Sequence, residues 1–371
     1  MRIHLNHAGA SLSSPETLAA IVGHLHAEVT LGPYEAAVAA ADAAELLYAE
    51  AARLIDASPD EIAWCDSGSR AWATAIDAFG WSPGDRIIVS RLDYGGSLAS
   101  LRAAAVRSGA VIEVGPCDDD GRLVLDELEG VLDGGPRAVA VTHAAAHCGT
   151  TNDVAGIGRL TRAAGVQFLV DAAQSVGQMP VSVAEIDCDA LTTTGRKWLR
   201  GPRGSGFLYL RGATTAHLSP SWADASSSRF PGARRFELWE RSQAVAIGLG
   251  VALAQLNVAI ARDEAPVDRI QRLARRCREG LATLPEVTVW GPRDPTSAIV
   301  GFTVDGRAPG EVLARCAAAD ITIWVMESTA APHNFADRGA TEVCRVAAHL
   351  TNSEDDIDEF LALIAGLKPD G

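Results

Sequence analysis

The chain has 371 residues, 48% hydrophobic and 21% charged, with a formal net charge of −15. That length allows a large core and two domains, and the composition is that of an ordinary soluble globular protein. The acidic balance argues against nucleic acid, whose phosphates call for a basic footprint. Seven cysteines (65, 117, 148, 188, 277, 316, 344) form no CxxC pair, so neither a disulfide framework nor a metal site is expected, and a cytoplasmic location is the simplest. The N-terminus MRIHLNHAGASL lacks the apolar stretch of a secretory signal, and no apolar run of 18 residues is expected to span a membrane.

In chain order, Glu35 to Ile55 carries apolar residues at helical spacing (Leu47, Ala51, Leu54). A turn at Ser58–Asp60 leads to a short strand ending at Cys65, and SGSRAWATAIDAF reads as a helix start. Strands then alternate with helices: strand 86–90, helix 97–107, strand 110–115, helix 124–132, strand 138–143, helix 154–164 and strand 167–173. CDALTTT (188–194) and GSGFLYLR (204–211) follow. Buried strands alternating with helices imply an α/β fold with a mostly parallel sheet covered on both faces. Ligands of such sheets sit beyond the carboxyl ends of the strands. From Pro266 the pattern changes to helix 266–283, strands 287–290 and 298–304, helix 309–318, strands 321–325 and 342–347, and helix 354–367. This reads as a small C-terminal α+β domain. The expected division is a large domain over 13–260 and a small one over 1–12 and 261–371.

Three features fall at strand ends. Ser67-Gly68-Ser69 opens a helix, where free backbone N–H groups and a hydroxyl can take an anion; alone it reads more simply as an N-cap. Asp171 ends the apolar run QFLVDAAQS with no local charge partner, and a buried lone carboxylate costs on the order of several kcal/mol unless it meets a cation or donors. A protonated pyridine nitrogen is such a cation; capping the next turn is an equal reading. Lys197, in Thr194-Gly195-Arg196-Lys197-Trp198, is wedged between a turn and an apolar strand, where a buried amine has a lowered pKa and forms imines readily. In isolation it would be a basic surface turn. The order SGS, Asp171, then Lys197 26 residues later fits one site.

VDAAQSVGQMPVSVAEIDCDALTTTGRKW, with LNHAGASL and TNSEDDIDEFLALI at the two ends, resembles the class V aminotransferase and cysteine desulfurase family of fold-type I enzymes, which use pyridoxal 5′-phosphate (PLP). The resemblance covers nearly the whole chain. It implies that Lys197 carries the cofactor as a Schiff base and acts as the main acid–base residue, that Asp171 pairs with the pyridinium, and that Gln174 donates to the 3-oxygen. It also implies that Tyr94 stacks on the ring and that Gly68, Ser69, Thr194 and Arg196 hold the phosphate. Arg345 in VCRVAAHLTNSEDDID would grip the substrate carboxylate, with His7 and Gly9 on the substrate side. Arg241 is a candidate contact to a partner subunit's cofactor, since such sites usually form at a homodimer interface.

The sequence departs from desulfurases in WVMESTAAPHNFADRG (324–339), which has no cysteine where persulfide-forming members carry a nucleophile. Thr329 or a neighbouring alanine takes the place. His147 and Cys148 follow Ala146, where relatives have a polar residue; His147 could move protons or be a hydrogen-bonded core histidine. The expectation is a lyase acting by β-elimination on a cysteine-derived amino acid, and not a persulfide-forming desulfurase. The alternatives are an aminotransferase or epimerase of secondary metabolism, or a non-catalytic binding protein on the same fold.

Overall fold

The computed structural model describes residues 2–261, 266–293 and 296–367. Its strands are β1 (Ile3–His4), β2 (Ile62–Cys65), β3 (Arg86–Val89), β4 (Val111–Val114), β5 (Ala138–Thr142), β6 (Gln167–Asp171), β7 (Ala190–Thr194), β8 (Gly206–Leu210), β9 (Val287–Trp290), β10 (Ile299–Val304), β11 (Ile321–Thr322), β12 (Trp324–Glu327) and β13 (Glu342–Ala347).

Seven strands form one sheet in the order β2-β8-β7-β6-β5-β3-β4. The β4, β3, β5, β6 and β7 strands pair in parallel, and β8 runs antiparallel to both β7 and β2. A parallel return needs a crossover element. The connection from β7 to β8 contains no helix, so β8 comes back antiparallel. The core strands are buried on both faces, with Leu169, Leu191 and Phe207 among the residues fully shielded, as strands sandwiched between helices must be. In the register of this sheet Thr142 lies opposite Asp171, and Asp171 opposite Thr192. The ends of β5, β6 and β7 therefore share one edge.

A second, antiparallel sheet has the order β12-β13-β10-β9. Helices Pro266–Ala282, Pro309–Ala318 and Glu354–Ala365 cover it, and Phe302, Phe360, Ile270 and Leu281 lie in its core. The N-terminus belongs to this region: β1 pairs in parallel with β11, and Ala347 N–H donates to Leu5. The strand expected over 321–325 is two, because Ile323 is where the chain leaves its pairing with β1 and takes up pairing with β13.

Two other expectations change. The helix anticipated over Glu35–Ile55 is two helices, Pro33–Ala39 and Ala41–Ile55, separated at Ala40, whose ψ of 16° leaves the helical range. An apolar run of membrane-spanning length does exist: Gln243–Ala261 is a 19-residue helix without a charged residue. Leu249, Leu253 and Leu256 are buried in the main core with Leu47 and Tyr48 of Ala41–Ile55, and Gly248 meets Ile21 of helix Pro15–Leu31. Its apolarity is explained by burial on several sides at once.

Candidate active site

At the shared strand edge a cavity of about 370 Å³ is lined by Gly68, Ser69, Tyr94, Ser97, Ala146, Asp171, Gln174, Thr194, Arg196 and Lys197, among others. The β7–β8 connection presents Lys197. Its geometry rests on Gly195, where a Cβ would overlap the Ser205 hydroxyl, while Gly195 N–H donates to Ser205 O at 2.8 Å. Burial, helped by the Arg196 and Arg345 cations and opposed by Asp171, pushes the Lys197 amine down to about 7. Near neutral pH a large share of this amine is unprotonated and nucleophilic.

Asp171 ends β6 with both oxygens fixed. Oδ2 accepts from Ser97 Oγ at 2.5 Å and Oδ1 from Ala173 N–H at 3.0 Å. Each oxygen keeps a further acceptor site, so the carboxylate is oriented and able to take a cationic N–H. Gln174 is held at both ends of its amide: Nε2 donates to Ala8 O at 3.0 Å, and Oε1 accepts from Trp198 Nε1 at 2.8 Å. One amide N–H is left over for a ligand oxygen.

The other end of the cavity is built for an anion. Ser67 caps helix Gly68–Phe79 by accepting from Arg70 N–H at 3.1 Å. A Cβ on Gly68 would stand 3.0 Å from Thr194 Cβ, so glycine lets the helix N-terminus close onto the end of β7. Backbone N–H groups, Ser69 and Thr194 border this nook, and the helix dipole favours negative charge there. Arg196 stands beside it, donating to Gly9 O.

Tyr94 lies across the cavity, with Lys197 Nζ 5.9 Å from its ring centroid and its N–H donating to Thr142 Oγ1 at 3.0 Å. Arg345 on β13 is 3% exposed. It donates from Nη1 to Ala146 O at 3.0 Å and from Nη2 to Asn6 Oδ1 at 2.9 Å, and its Nε has no partner. Burial and the nearby Arg196 push its pKa down to about 9 despite Tyr94. Neither Arg345 nor Arg196 has a carboxylate partner among the described residues. Buried cations without counter-ions are costly, and an anionic ligand group would relieve both. A ring bearing a phosphate, a protonated nitrogen and an aldehyde carbon fits this set: the Gly68 nook, Asp171 and Lys197 each offer the complementary chemistry.

Not every expected residue gathers here. His7 is fully buried against His4 and His349, its Nδ1 is 2.9 Å from Ser11 Oγ, and burial holds its pKa at about 2. It braces the N-terminal segment and does not line the cavity. Gly9 touches the site through its carbonyl on Arg196. Arg241 pairs with buried Glu237 and donates to the Tyr48 hydroxyl at 2.9 Å. It lines a neighbouring cavity of about 330 Å³ with Trp64, Trp222 and Phe236. His147 and Cys148 are fully buried behind Ala146 and do not reach the cavity.

The sequence reading missed Ser97 and Asn6. Ser97 lies three residues after Tyr94 on the following helix, Gly95–Ser108, so the helical period was an available signal. Asn6 sits inside LNHAGASL, and nothing local marks it as the residue that orients Arg345.

A family model described as aminotransferase class-V matches residues 3–360. A cysteine desulfurase of Serratia proteamaculans is 28% identical over 93% of this chain and 86% of its own length. A cysteine desulfurase structure from Thermococcus onnurineus superposes with a TM-score of 0.88 at 25% identity, covering 99% of this chain and 94% of that one. A C-DES variant with glycine covalently linked to its PLP cofactor superposes with a TM-score of 0.88 at 23% identity, covering 98% of this chain and 96% of that one. The desulfurase relatives overturn the expectation of a β-eliminating lyase and, with it, the reading of the cysteine-free 324–339 segment as a mark of different chemistry.

Proposed function

The chain belongs to the class V aminotransferase family of PLP-dependent enzymes, and from that premise we propose that it is a cysteine desulfurase whose sulfur is accepted by an external thiol. The observation that carries the proposal is the buried Arg345 guanidinium, its Nε unpartnered and no carboxylate beside it among the described residues, close enough to Lys197 to lower its pKa. It supports binding of a small α-amino acid by its carboxylate. The desulfurase relatives support cysteine as that amino acid.

Bound through Lys197, PLP supplies an electron sink for the bonds at the substrate's α-carbon. In this reading Asp171, oriented by Ser97, keeps the pyridine nitrogen protonated, Gln174 donates to the 3-oxygen, and Tyr94 stacks on the ring. Gly68, Ser69, Thr194 and Arg196 hold the phosphate. Arg345, braced by Asn6 and the Ala146 carbonyl, fixes the carboxylate. Once the substrate amine has displaced it, Lys197 would be the residue placed to take the α-proton. An external thiolate would attack the substrate sulfur: the S–S bond forms as the Cβ–S bond breaks, its electron pair passes to Cβ, Cβ takes the proton that the thiol gave up, and Lys197 returns the α-proton to Cα to leave alanine. The sum is cysteine plus thiol giving alanine plus a persulfide on the thiol.

The protein is also read as a cytoplasmic homodimer with domains over 13–260 and over 1–12 plus 261–371; the boundary at 260/261 abuts residues 262–265, which lie outside the described residues. Seven free cysteines support a reducing compartment. Leu18, Val22, Leu25 and Val29 support a partner surface, forming an exposed apolar row at helical spacing on Pro15–Leu31. The test is product analysis with cysteine and an added thiol. Alanine and thiol persulfide in equal amounts are expected; pyruvate and ammonia as the products would overturn the reading.

A further inference from the structure

The cysteine-free segment between β12 and β13 is fastened along its length. Ser328 N–H donates to Thr341 O at 2.7 Å. The Thr329 carbonyl rests on Gly95, where any Cβ would overlap it. Ala331 and Phe335 are buried with Leu92, Ala146 and Trp290. Arg91 pairs with Asp337 at 2.7 Å. Gly95 lies between the lining residues Tyr94 and Gly96, so the segment packs directly behind the Tyr94 wall of the cavity.

Asn334 is the centre of this fastening. It is 2% exposed, its Nδ2 donates to Asp120 O at 3.3 Å, and its Oδ1 lies 2.8 Å from His147 Nε2. His147 is fully buried, its ring 5.1 Å from Phe335 and 6.2 Å from Trp290. Its chain neighbour Ala146 lines the cavity and accepts from Arg345. One residue thus ties the covering segment on one side to the backbone that steadies Arg345 on the other.

We propose that His147 is a positioning residue: through Asn334 it holds Ser328–Arg338 as a fixed cover, and through Ala146 it sets the substrate-facing pose of Arg345. The role uses the ring as a hydrogen-bonding spacer in an aromatic slot, with no proton transfer. A cover that does not swing also agrees with sulfur leaving on a thiol that comes from outside; only this last link rests on the function proposed above.

The experiment is hydrogen–deuterium exchange of 328–338 in the holoenzyme, for wild type, H147A, H147Q and N334A, together with kcat and KM for cysteine. H147A and N334A each free the cover, so exchange there speeds up about tenfold or more, the ratio that the loss of one buried hydrogen bond supports. KM rises by a similar factor while kcat stays within about threefold. H147Q, whose amide can still donate to Asn334, restores most of the protection. The double variant H147A/N334A is no worse than the poorer single one, because both cut the same link. Unchanged exchange of 328–338 in N334A overturns the proposal. So does a collapse of kcat in H147A that removes one limb of the pH–kcat profile, which would make His147 a proton carrier. If H147A does not fold, H147Q and N334A decide the matter. If wild-type protein leaves cysteine untouched, the desulfurase reading fails, while the exchange result still judges the latch.

Discussion

The floor and the cover of the site are built in opposite ways. The floor is strand ends: Thr142, Asp171 and Thr194 are fixed by the register of one sheet. The cover is a short segment of single turns, 328–338, held to the floor by side chains and one close backbone approach at Gly95. A sheet edge can place a Lys, an Asp and an anion nook once and keep them through many changes of reaction, because each is tied to hydrogen-bonded neighbours on both sides. A segment of turns can change a side chain, at Thr329 or a neighbouring alanine, without disturbing the sheet. In the function proposed above, the floor would set what chemistry is available, and the segment beside it would set where the sulfur goes.

The sharpest way to break this division is at the floor. In the proposed function K197A would remove both the cofactor anchor and the base, and a loss of roughly a thousandfold or more in cysteine turnover is expected, with loss of the imine absorption band. Activity that survives within tenfold would move the chemistry elsewhere. Arg345 stands where floor and cover meet. R345A should raise KM for cysteine about 10- to 100-fold, the range of a charge-assisted hydrogen-bonded pair. R345K should recover little, since a point charge cannot make the forked contact.

The pH dependence of cofactor loading tests the floor alone. The Lys197 amine titrates near 7 in the cofactor-free protein, and only its neutral form attacks the aldehyde. Stopped-flow reconstitution with PLP should be fastest above pH 8 and fall about tenfold per unit below pH 6. A profile still rising at pH 10 would mean an ordinary lysine. The smallest effects belong to side chains that the proposed chemistry does not use. T329A on the cover and C117A, the one cysteine that is not fully enclosed, should each change thiol-dependent alanine formation by less than about twofold. A large loss in C117A would identify a resident sulfur carrier.

The same contrast decides what the sequence could tell. Asp171 and Lys197 each had a bland reading alone, a capping Asp and a basic turn; their order along the chain and the family resemblance are what singled them out. Their convergence followed from the parallel sheet. Asn6, Ser97 and the His147–Asn334 pair were not legible: their roles depend on partners 74 to 339 positions away in the chain, which no local spacing encodes. His7, expected on the substrate side, is fully buried with its ring edge-on to His4 and tilted against His349. The missing loop cysteine misled for a different reason: it was taken to decide how the Cβ–S bond is broken, whereas the desulfurase relatives point to persulfide chemistry on the same frame.

The antiparallel return of β8 has one more consequence. A lysine at the start of a crossover helix could shift with that helix alone. Here Lys197 sits on a connection whose two flanking strands are central in the sheet, with β7 bonded to β6 and β8 bonded to β2. On gentle heating the smaller sheet and the cover have fewer neighbours to hold them and should loosen first. The protein would then lose its grip on substrate while still coloured by its cofactor, and bleaching would mark the collapse of the large sheet itself.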